Sequence, residues 1–430
     1  MLRRLLLIFA LSAAAVMAQT PAPAPQPTTD QQKQVRTYTL PPEKLAKAIA
    51  YSRARNWLHF IEFAYGAVAL LAVLAWKLAP RFRNWAERAS RRRIVQAYIF
   101  MPLLLLTLDV LNLPASLYEQ HLSLEYGQSI QGWGSWFWDW TKGELIEFAL
   151  AGVLVWILYG VIRRSPRRWW FYFWLASIPI VVFLQFLAPV VITPLFYKFE
   201  PLEAKQPALV AQIEKVTARG GLVIPRDRMF EMKASEKLNS LNAYVAGVGA
   251  SKRVVVWDTT LQKMTPAQTL FVFGHEMGHY VLGHVLLLIV AQCALFLILL
   301  YAGYLVMGRI ILRRGKRWDI TGVDDWASAP LLLLVVTVVS FLIEPAVNSF
   351  SRVLEHNADT YGLEVVHGIV PDAPQAAAHA FQILGEVSLS DPNPSGFIKF
   401  WLYDHPPVAE RVRYAAEYNP WATGTPKYVK

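Results

Sequence analysis

The stretch HEMGHYVLGHVLLLIVAQCALFLILLYAGYLVM, residues 275–307, decides what kind of protein this chain forms. Its first five residues follow the pattern H-E-x-x-H, and the part from His284 to Met307 is a predominantly apolar run without Asp, Glu, Lys or Arg until its end. A run of about 20 apolar residues is long enough to cross a bilayer as a helix. The stretch therefore places a cluster of ionisable side chains at the edge of a predicted membrane span.

Five further apolar runs of bilayer length occur in the 430 residues, 55% of which are hydrophobic. A single run of this kind is also compatible with a buried core helix, but six together indicate membrane spans. The sequence predicts a mainly α fold, a multi-pass transmembrane helical bundle with a small α+β domain. The six runs are Phe60–Ala79, Ile94–Pro114, Leu145–Ile162, Trp169–Phe196, His284–Met307 and Ala329–Phe350.

The basic residues, which give a net charge of +11, are concentrated in short loops between runs. They follow run one (Lys77, Arg81, Arg83, Arg88, Arg91, Arg92, Arg93), run three (Arg163, Arg164, Arg167, Arg168) and run five (Arg309, Arg313, Arg314, Lys316, Arg317). This alternation is typical of membrane orientation, and no nucleic-acid partner is expected. The positive-inside rule makes these loops cytoplasmic and places H-E-x-x-H on the other side. We expect a multi-pass protein of a bacterial inner (plasma) membrane with an extracytoplasmic site.

The N-terminus carries a separate signal. Met1–Arg4 is basic, the apolar stretch from Leu5 is short, and small residues end at Ala18. This pattern is typical of a cleavable signal peptide, and the alternative is an uncleaved first helix. A linker rich in Pro, Ala, Thr and Gln follows to Gln34. The single cysteine, Cys293, excludes an internal disulfide.

Between runs four and five the sequence predicts a small mixed domain. It consists of a helix, Lys205–Ala218, and three strands, Arg228–Met232, Ala243–Val248 and Arg253–Trp257. If the strand that follows Asn242 lies at a sheet edge, it can pair with an extended peptide, although periodicity alone favours plain sheet structure. Thr265-Pro266-Ala267-Gln268 has the composition of a capping box, which predicts a helix from Pro266 to about Gly283.

That helix gives H-E-x-x-H its chemical meaning. Residues four apart lie on one helix face, so His275 and His279 can bind one zinc ion while Glu276 acts as general base on its water. A hydrolytic zinc site takes a third protein ligand. Runs five and six form a hairpin that returns near Glu355, which we predict as this ligand. Asp359 follows one turn later and is predicted to orient a ligand histidine or to donate a proton.

Two other histidines and a tryptophan cluster are assigned structural roles. His356 is one step around the helix from Glu355, and His284 is five residues beyond His279, off the ligand face. Both are expected to be structural. The cluster Trp133, Trp136, Trp138 and Trp140 precedes run three and is typical of an interfacial aromatic belt, with an aromatic ligand box as the alternative.

Several separated motifs of this chain resemble those of the type I CAAX prenyl proteases, membrane-embedded zinc metallopeptidases of the gluzincin pattern. The motifs are Leu124–Gly127, Asn239–Tyr244, Ser251–Thr259, His275–His279 with Gly283-His284, Ser351-Arg352 with Glu355 and Ala358-Asp359, and His405–Pro407 with Arg411. The resemblance implies zinc on His275, His279 and Glu355 and a base at Glu276. It further implies that Asn242 and His405 contact the substrate or its oxyanion and that Arg411 helps to order the site. On its own, His405 before two prolines is typical of a surface turn.

The sequence therefore predicts a zinc-dependent metalloendopeptidase with one Zn²⁺ per chain, acting on peptides or membrane-associated proteins in the lipid bilayer. The alternatives are a zinc-containing holdase, a transporter, and an intramembrane site-2-type protease. The last would use Leu108-Asp109-Val110, which lacks the expected glycine. The oligomeric state stays open. The predicted segments are 1–18 (signal peptide), 19–56 (linker and amphipathic lead-in), 57–196 (N-terminal spans), 197–283 (metallopeptidase segment), 284–350 (transmembrane hairpin) and 351–430 (C-terminal metallopeptidase segment).

Overall fold

The computed structural model of the chain describes residues 34–247 and 252–429, so the predicted signal segment lies outside the described residues. Among these residues, six helices are long and apolar enough to cross a membrane, which confirms the mainly α fold. They are α1 (Pro42–Ala75), α3 (Arg93–Glu125), α4 (Trp133–Arg164), α5 (Trp169–Leu187), α9 (His284–Trp318) and α10 (Ala329–Val366). A short amphipathic helix, α2 (Leu78–Ala89), lies between the first two.

Two of the predicted runs end earlier than their hydrophobicity suggested. Helix α1 stops at Ala75, and Lys77 adopts a left-handed conformation with φ of 55° before α2 begins. The fourth run was predicted to extend to Phe196, but α5 ends at Leu187 and passes into a π turn and a 3₁₀ turn. Pro189 and Pro194 explain this break, because proline lacks the N–H that continues an α-helix.

The spans pack into one membrane bundle. Helix α3 packs against α4, α9 against α10, and α1 against both α3 and α10. At the basic end, Trp326 is 1% exposed and contacts the rings of Phe100 and Tyr159. The basic loops meet there, since Arg83 donates to Asp325 at 2.6 Å. The bundle therefore brings the positively charged loops together at one end.

A four-stranded mixed sheet packs against helix α8 (Pro266–Val281). Its strands are β1 (Phe199–Pro201), β2 (Met229–Met232), β3 (Ala243–Ala246) and β4 (Arg253–Trp257), in the order β1-β2-β4-β3. Strand β4 runs parallel to β2 and antiparallel to β3, and β1 is antiparallel to β2. The three predicted strands are confirmed, and β3 is an outer strand of the sheet. Position 248, the predicted end of that strand, lies outside the described residues.

The remaining helices pack mainly against α8, α10 and one another. They are α6 (Pro207–Arg219), α7 (Asp258–Lys263), α8 (Pro266–Val281), α11 (Ala373–Val387), α12 (Gly396–Leu402), α13 (Val408–Glu417) and α14 (Pro420–Thr423). Helix α8 carries the H-E-x-x-H motif and begins with the predicted capping box. Thr265 N–H donates to Gln268 Oε1 at 2.8 Å, and Gln268 N–H donates to Thr265 Oγ1 at 3.4 Å.

Small residues let α8 and α10 approach closely. A Cβ atom added at Gly362 would lie 2.9 Å from the backbone nitrogen of His275, and one at Gly278 would lie 3.1 Å from the Tyr361 ring. Such distances are shorter than ordinary van der Waals contact, so only glycine is accommodated without a shift. The crossing places His275 and His279 beside the turn of α10 that carries Glu355.

Candidate active site

Three predicted ligands converge at the crossing of α8 and α10. The Nε2 atoms of His275 and His279 are 3.2 Å apart. Glu355 Oε2 lies 3.3 Å from His275 Nε2, and Glu355 Oε1 lies 3.2 Å from His279 Nε2. One ligand atom from each residue lies within 4.8 Å of the other two. Two side chains four residues apart on one helix and a third from another helix therefore share one small volume.

The donor set fits a catalytic zinc ion. Two imidazole nitrogens and one carboxylate are the ligands of a common class of hydrolytic zinc sites, in which a fourth position stays open to water. Glu355 is 7% exposed. Among the described residues, no hydrogen bond of good geometry reaches its Oε2 atom, although His275 Nε2 and His405 Nε2 lie 3.3 and 3.1 Å from it. A buried carboxylate oxygen with incomplete hydrogen bonding is costly unless a cation compensates it.

Glu276 borders this trio. Its Oε1 atom lies 4.0 Å from His275 Nε2, and its side chain is one quarter exposed. Burial raises the pKa of the Glu276 carboxyl above its ordinary value, against the opposing influence of His275 and His279. A higher pKa makes a carboxylate a better proton acceptor, which is the property that a general base needs.

Asp359 lies one turn beyond Glu355 and contacts the Nδ1 atom of His275, whereas Glu355 faces the Nε2 atom of the same ring. The Oδ1 atom of Asp359 is 2.8 Å from His275 Nδ1, and the residue is 1% exposed. Arg411 on α13 donates to both carboxylate oxygens, at 2.9 and 2.6 Å, and its guanidinium lies 4.3 Å from the Phe381 ring centroid. The two predicted residues thus form one buried ion pair that supports a predicted metal ligand.

His405 reaches the same volume from the loop between α12 and α13. Its Nε2 atom lies 3.1 Å from Glu355 Oε2, and its Nδ1 atom lies 2.8 Å from Asp404 Oδ1. The ring is about half exposed. Burial lowers the pKa of His405, but the carboxylates of Glu355 and Asp404 outweigh it and raise the pKa to about 9. Local sequence favoured a surface turn here, and only the long-range fold brings this histidine to the site.

Asn242 is the predicted site residue that takes no part in this contact network as far as the described residues show. It precedes β3, and its backbone N–H donates to Thr260 Oγ1 at 2.8 Å. Trp257 N–H donates to its carbonyl at 3.0 Å. In the two described ranges, no hydrogen bond or ion pair joins Asn242 to the other seven predicted residues. Strand β3 nevertheless packs against α8, so Asn242 borders the motif helix through the sheet.

The two histidines that were assigned structural roles differ. His356 is exposed and contacts the Tyr414 ring with centroids 4.5 Å apart, so it points away from the trio as expected. His284 is 4% exposed, and its Nδ1 atom lies 3.1 Å from His279 Nδ1. It is not one of the three converging ligands, but it contacts one of them. Helical periodicity could not predict this contact, because α8 ends at Val281 before His284 begins a new helix.

Two family descriptions together cover nearly the whole chain. Residues 28–198 match "CAAX prenyl protease N-terminal, five membrane helices", and residues 203–419 match "Peptidase family M48". The chain belongs to peptidase family M48. Within the N-terminal match, four of the described helices, α1, α3, α4 and α5, are long enough to cross a membrane, and α2 has only 12 residues. This M48 protein is therefore a multi-pass integral membrane metalloprotease, and the resemblance stated from its motifs is confirmed.

Relatives and a solved structure agree with this membership. The M48 protein is 35% identical to "Uncharacterized metalloprotease YhfN" of Bacillus subtilis, with 87% of this chain and 86% of the relative covered. It is 26% identical to "CAAX prenyl protease 1 homolog" of Oryza sativa, with 89% and 91% covered. Its fold is similar to that of S. mikatae Ste24p in a crystal structure, with a TM-score of 0.71, 22% identity and 90% and 93% of the chains covered. Peptidase membership does not favour the holdase and transporter alternatives.

Proposed function

We propose that this M48 metalloprotease is an endopeptidase that holds one zinc ion per chain with His275, His279 and Glu355. The observation that carries the proposal is the convergence of these side chains at the crossing of α8 and α10, with Glu276 at its border. When bound, zinc lowers the pKa of a water molecule and polarises the scissile carbonyl. The chain's own residues then handle the protons and the substrate.

Glu276 takes the proton from the attacking water and passes it to the leaving amine. Its position beside the ligand pair and its raised pKa support this role. His405 donates from Nε2 to the carbonyl oxygen as negative charge develops there. Its ring is about half exposed, and its Nε2 atom lies within the site, 3.1 Å from Glu355 Oε2, which supports this donor role.

Asp359 and Arg411 act through His275. The carboxylate accepts the Nδ1–H of His275 and so leaves Nε2 free for the metal, as outer partners of zinc-binding histidines commonly do. The resemblance implied that Arg411 helps to order the site. Its two hydrogen bonds to Asp359 support such a positioning role. They also argue that Asp359 stays ionised and does not donate a proton.

The substrate we propose is a peptide segment of a membrane-associated or translocated protein. Outer strand β3 supports this, because in the part of the chain that the structure describes no strand pairs with its outer edge, whose backbone groups can pair with an extended chain. Asn242 is fixed by Thr260 immediately before this strand and is proposed to contact the substrate there. Whether that substrate carries a lipid is decided by the experiment below.

The proposed site faces the extracytoplasmic side of a bacterial inner membrane. Contacts among the basic loops support this orientation: Arg83 pairs with Asp325, and the Arg163 guanidinium lies 5.4 Å from the Trp326 ring centroid. The loops therefore form one positive end, whereas Glu355 lies at the opposite end of α10. The proposed division at residues 196 and 197 is supported by the two family matches, which meet between residues 198 and 203.

The test is hydrolysis by the purified full-length protein in detergent, with zinc quantified in the same samples. A farnesylated and an unmodified peptide are incubated with wild type, Glu276→Gln and a matched control, Glu236→Gln. Glu236 pairs with Lys198 on the surface and is not part of the site. We expect Glu276→Gln to retain one zinc per chain and to lose at least 100-fold in kcat, within the range for a lost general base.

Glu236→Gln should keep the wild-type rate. Cleavage of both peptides by wild type would indicate broad specificity, and cleavage of the farnesylated peptide alone would indicate lipid recognition. If Glu276→Gln cleaves at the wild-type rate, the assigned base is wrong. If wild type binds zinc and cleaves neither peptide, the proposed endopeptidase activity on these substrates is wrong.

A further inference from the structure

The two ring nitrogens of His279 face different partners. Nε2 faces Glu355 Oε1 at 3.2 Å, and Nδ1 faces Nδ1 of His284 at 3.1 Å. The rings of His279 and His284 are 5.1 Å apart and nearly perpendicular, at 71°. His284 is 4% exposed, so solvent does not compete for this contact. The geometry is that of a hydrogen bond between two imidazoles.

The backbone holds His284 in this place. Helix α8 ends at Val281, and Gly283 has φ of 72°, a left-handed conformation that glycine adopts without strain. Gly283 N–H donates to Tyr280 O at 3.3 Å, and Leu287 N–H donates to Gly283 O at 3.1 Å, which starts α9 immediately after the turn. His284 is the first residue of that membrane span. Two helices joined by a tight turn therefore set the distance between the two rings.

We propose that His284 is a positioning residue for the metal site, accepting a hydrogen bond from His279 Nδ1–H and thereby fixing the tautomer of His279. This inference rests on the proposed zinc site. A neutral imidazole carries one proton, so a histidine that gives Nε2 to a metal carries that proton on Nδ1. For the facing Nδ1 of His284 to accept it, His284 must be neutral and protonated on its own Nε2.

His284 is thus the counterpart of Asp359 on the other ligand. Asp359 faces His275 Nδ1 at 2.8 Å with a charged acceptor, whereas His284 faces His279 Nδ1 at 3.1 Å with a neutral one. Hydrogen bonds to charged acceptors are shorter and stronger than those between neutral groups. The site therefore has one strongly and one weakly supported histidine, both with the same assigned tautomer.

A purely space-filling role for His284 makes a different prediction. Filling buried space depends on side-chain volume, whereas orienting His279 depends on an acceptor atom at the position of Nδ1. Asparagine places its side-chain oxygen near that position, and glutamine places its oxygen one bond farther along the side chain. Phenylalanine keeps the ring and removes the acceptor. These three substitutions separate the acceptor from the volume.

The experiment measures the zinc dissociation constant of the purified full-length protein by competition with a chromophoric chelator. The variants are His284→Asn, His284→Gln and His284→Phe, with His121→Phe as the matched control. His121 is exposed at the end of α3 and pairs with Glu125 there. We expect His284→Phe and His284→Gln to weaken zinc binding by about 10- to 100-fold, the usual effect of losing an outer partner. His284→Asn and His121→Phe should bind within about 3-fold of wild type.

A second readout is the visible spectrum of the cobalt-substituted protein, which reports ligand geometry without turnover. We expect the cobalt bands to shift in His284→Phe and to match wild type in His284→Asn. Wild-type zinc affinity in folded His284→Phe would overturn the inference. Equal losses in the Asn and Gln variants would overturn it as well. If wild type itself fails to bind zinc, the proposed function fails and this inference fails with it.

Discussion

Asp359 and His275 are in direct contact, since Asp359 Oδ1 lies 2.8 Å from His275 Nδ1. Arg411 donates hydrogen bonds to both oxygens of the same carboxylate. The contact links the third-ligand helix to the H-E-x-x-H helix independently of the metal. It joins the motif to a residue on α13, near the end of the described chain. The geometry of the proposed zinc site therefore depends on three separate helices.

The first prediction concerns Asp359→Asn, which keeps the shape of the side chain and removes its charge. Zinc affinity should fall by about 10- to 100-fold, because His275 loses its charged partner. Arg411 would lose its nearest charged partner and keep only Glu355, at 3.9 Å, which should lower stability by about 3 kcal/mol. Chelator competition and thermal melting in detergent measure the two effects. Saturating zinc should restore most of the activity, and a rate that stays low at saturation would indicate proton donation by Asp359.

The second prediction concerns the segment that carries His405. Arg352 on α10 donates to the carbonyl of Lys399 at 3.1 Å, to the carbonyl of Tyr403 and to Ser349 Oγ at 2.7 Å. Arg352→Lys cannot reproduce this forked contact, so His405 should lose its fixed position. We expect kcat to fall by about 10- to 100-fold with zinc content unchanged, as for a small misplacement of a reacting group.

The matched control for that substitution is Arg226→Lys, which alters an exposed arginine paired with Glu203 and Glu214. Its kcat should equal that of wild type. If Arg352→Lys also keeps the wild-type kcat, or if it loses zinc, the carbonyl contacts do not act by positioning His405.

The third prediction tests the close approach of α8 and α10. Gly362→Ala introduces a methyl group 2.9 Å from the backbone nitrogen of His275, where no flexible side chain can yield. We expect a loss of about 1–3 kcal/mol in stability from overpacking. Zinc binding should weaken in the same variant, since the two ligand-bearing helices are forced apart. Melting temperature and the zinc dissociation constant report the two changes.

Gly160→Ala provides the comparison, because a Cβ at Gly160 meets no atom within 4 Å. That variant should be neutral or slightly stabilising, given the higher helix propensity of alanine. Equal melting temperatures for the two alanine variants would contradict the steric argument.

The fourth prediction concerns orientation. In a Cys293→Ala background, single cysteines are placed by Val223→Cys, in an 86% exposed position of the sheet domain, and by Pro166→Cys, in the exposed basic turn after α4. In intact cells, a membrane-impermeant maleimide should label position 223 and leave position 166 unlabelled until the membrane is opened. Labelling of position 166 alone would reverse the proposed topology.

Residues with a local signature were predictable from the sequence. The capping box at Thr265 and the four-residue spacing of His275 and His279 predicted α8, its face and its chemistry. Glu355 followed from the hairpin of two apolar runs, because a returning span must end near the starting point of the first. Helix α1 begins at Pro42, well before the predicted apolar run, which starts at Phe60. This extra length was not predicted, because hydrophobicity marks the lipid-contacting part of a helix and not its ends.

Contacts made by tertiary packing left little signal in the sequence. His405 and Arg411 approach the site across loops and a short helix, so only the resemblance pointed to them. Gly362 is needed because it lies against the backbone of α8 at His275. The hydrophobic periodicity of its own helix carries no information about that contact. The contact of His284 with His279 was not predicted, because a single left-handed residue, Gly283, ends the helix on which the ligand face was drawn.

The hairpin of α9 and α10 has a consequence for biosynthesis. The ribosome makes both histidines of the motif first, and the carboxylate of Glu355 follows only after two more crossings of the bilayer have been translated. A chain that has not been translated as far as position 355 therefore holds an incomplete set of ligands. The three ligands can meet in this arrangement only after the polypeptide has been threaded through the lipid in both directions.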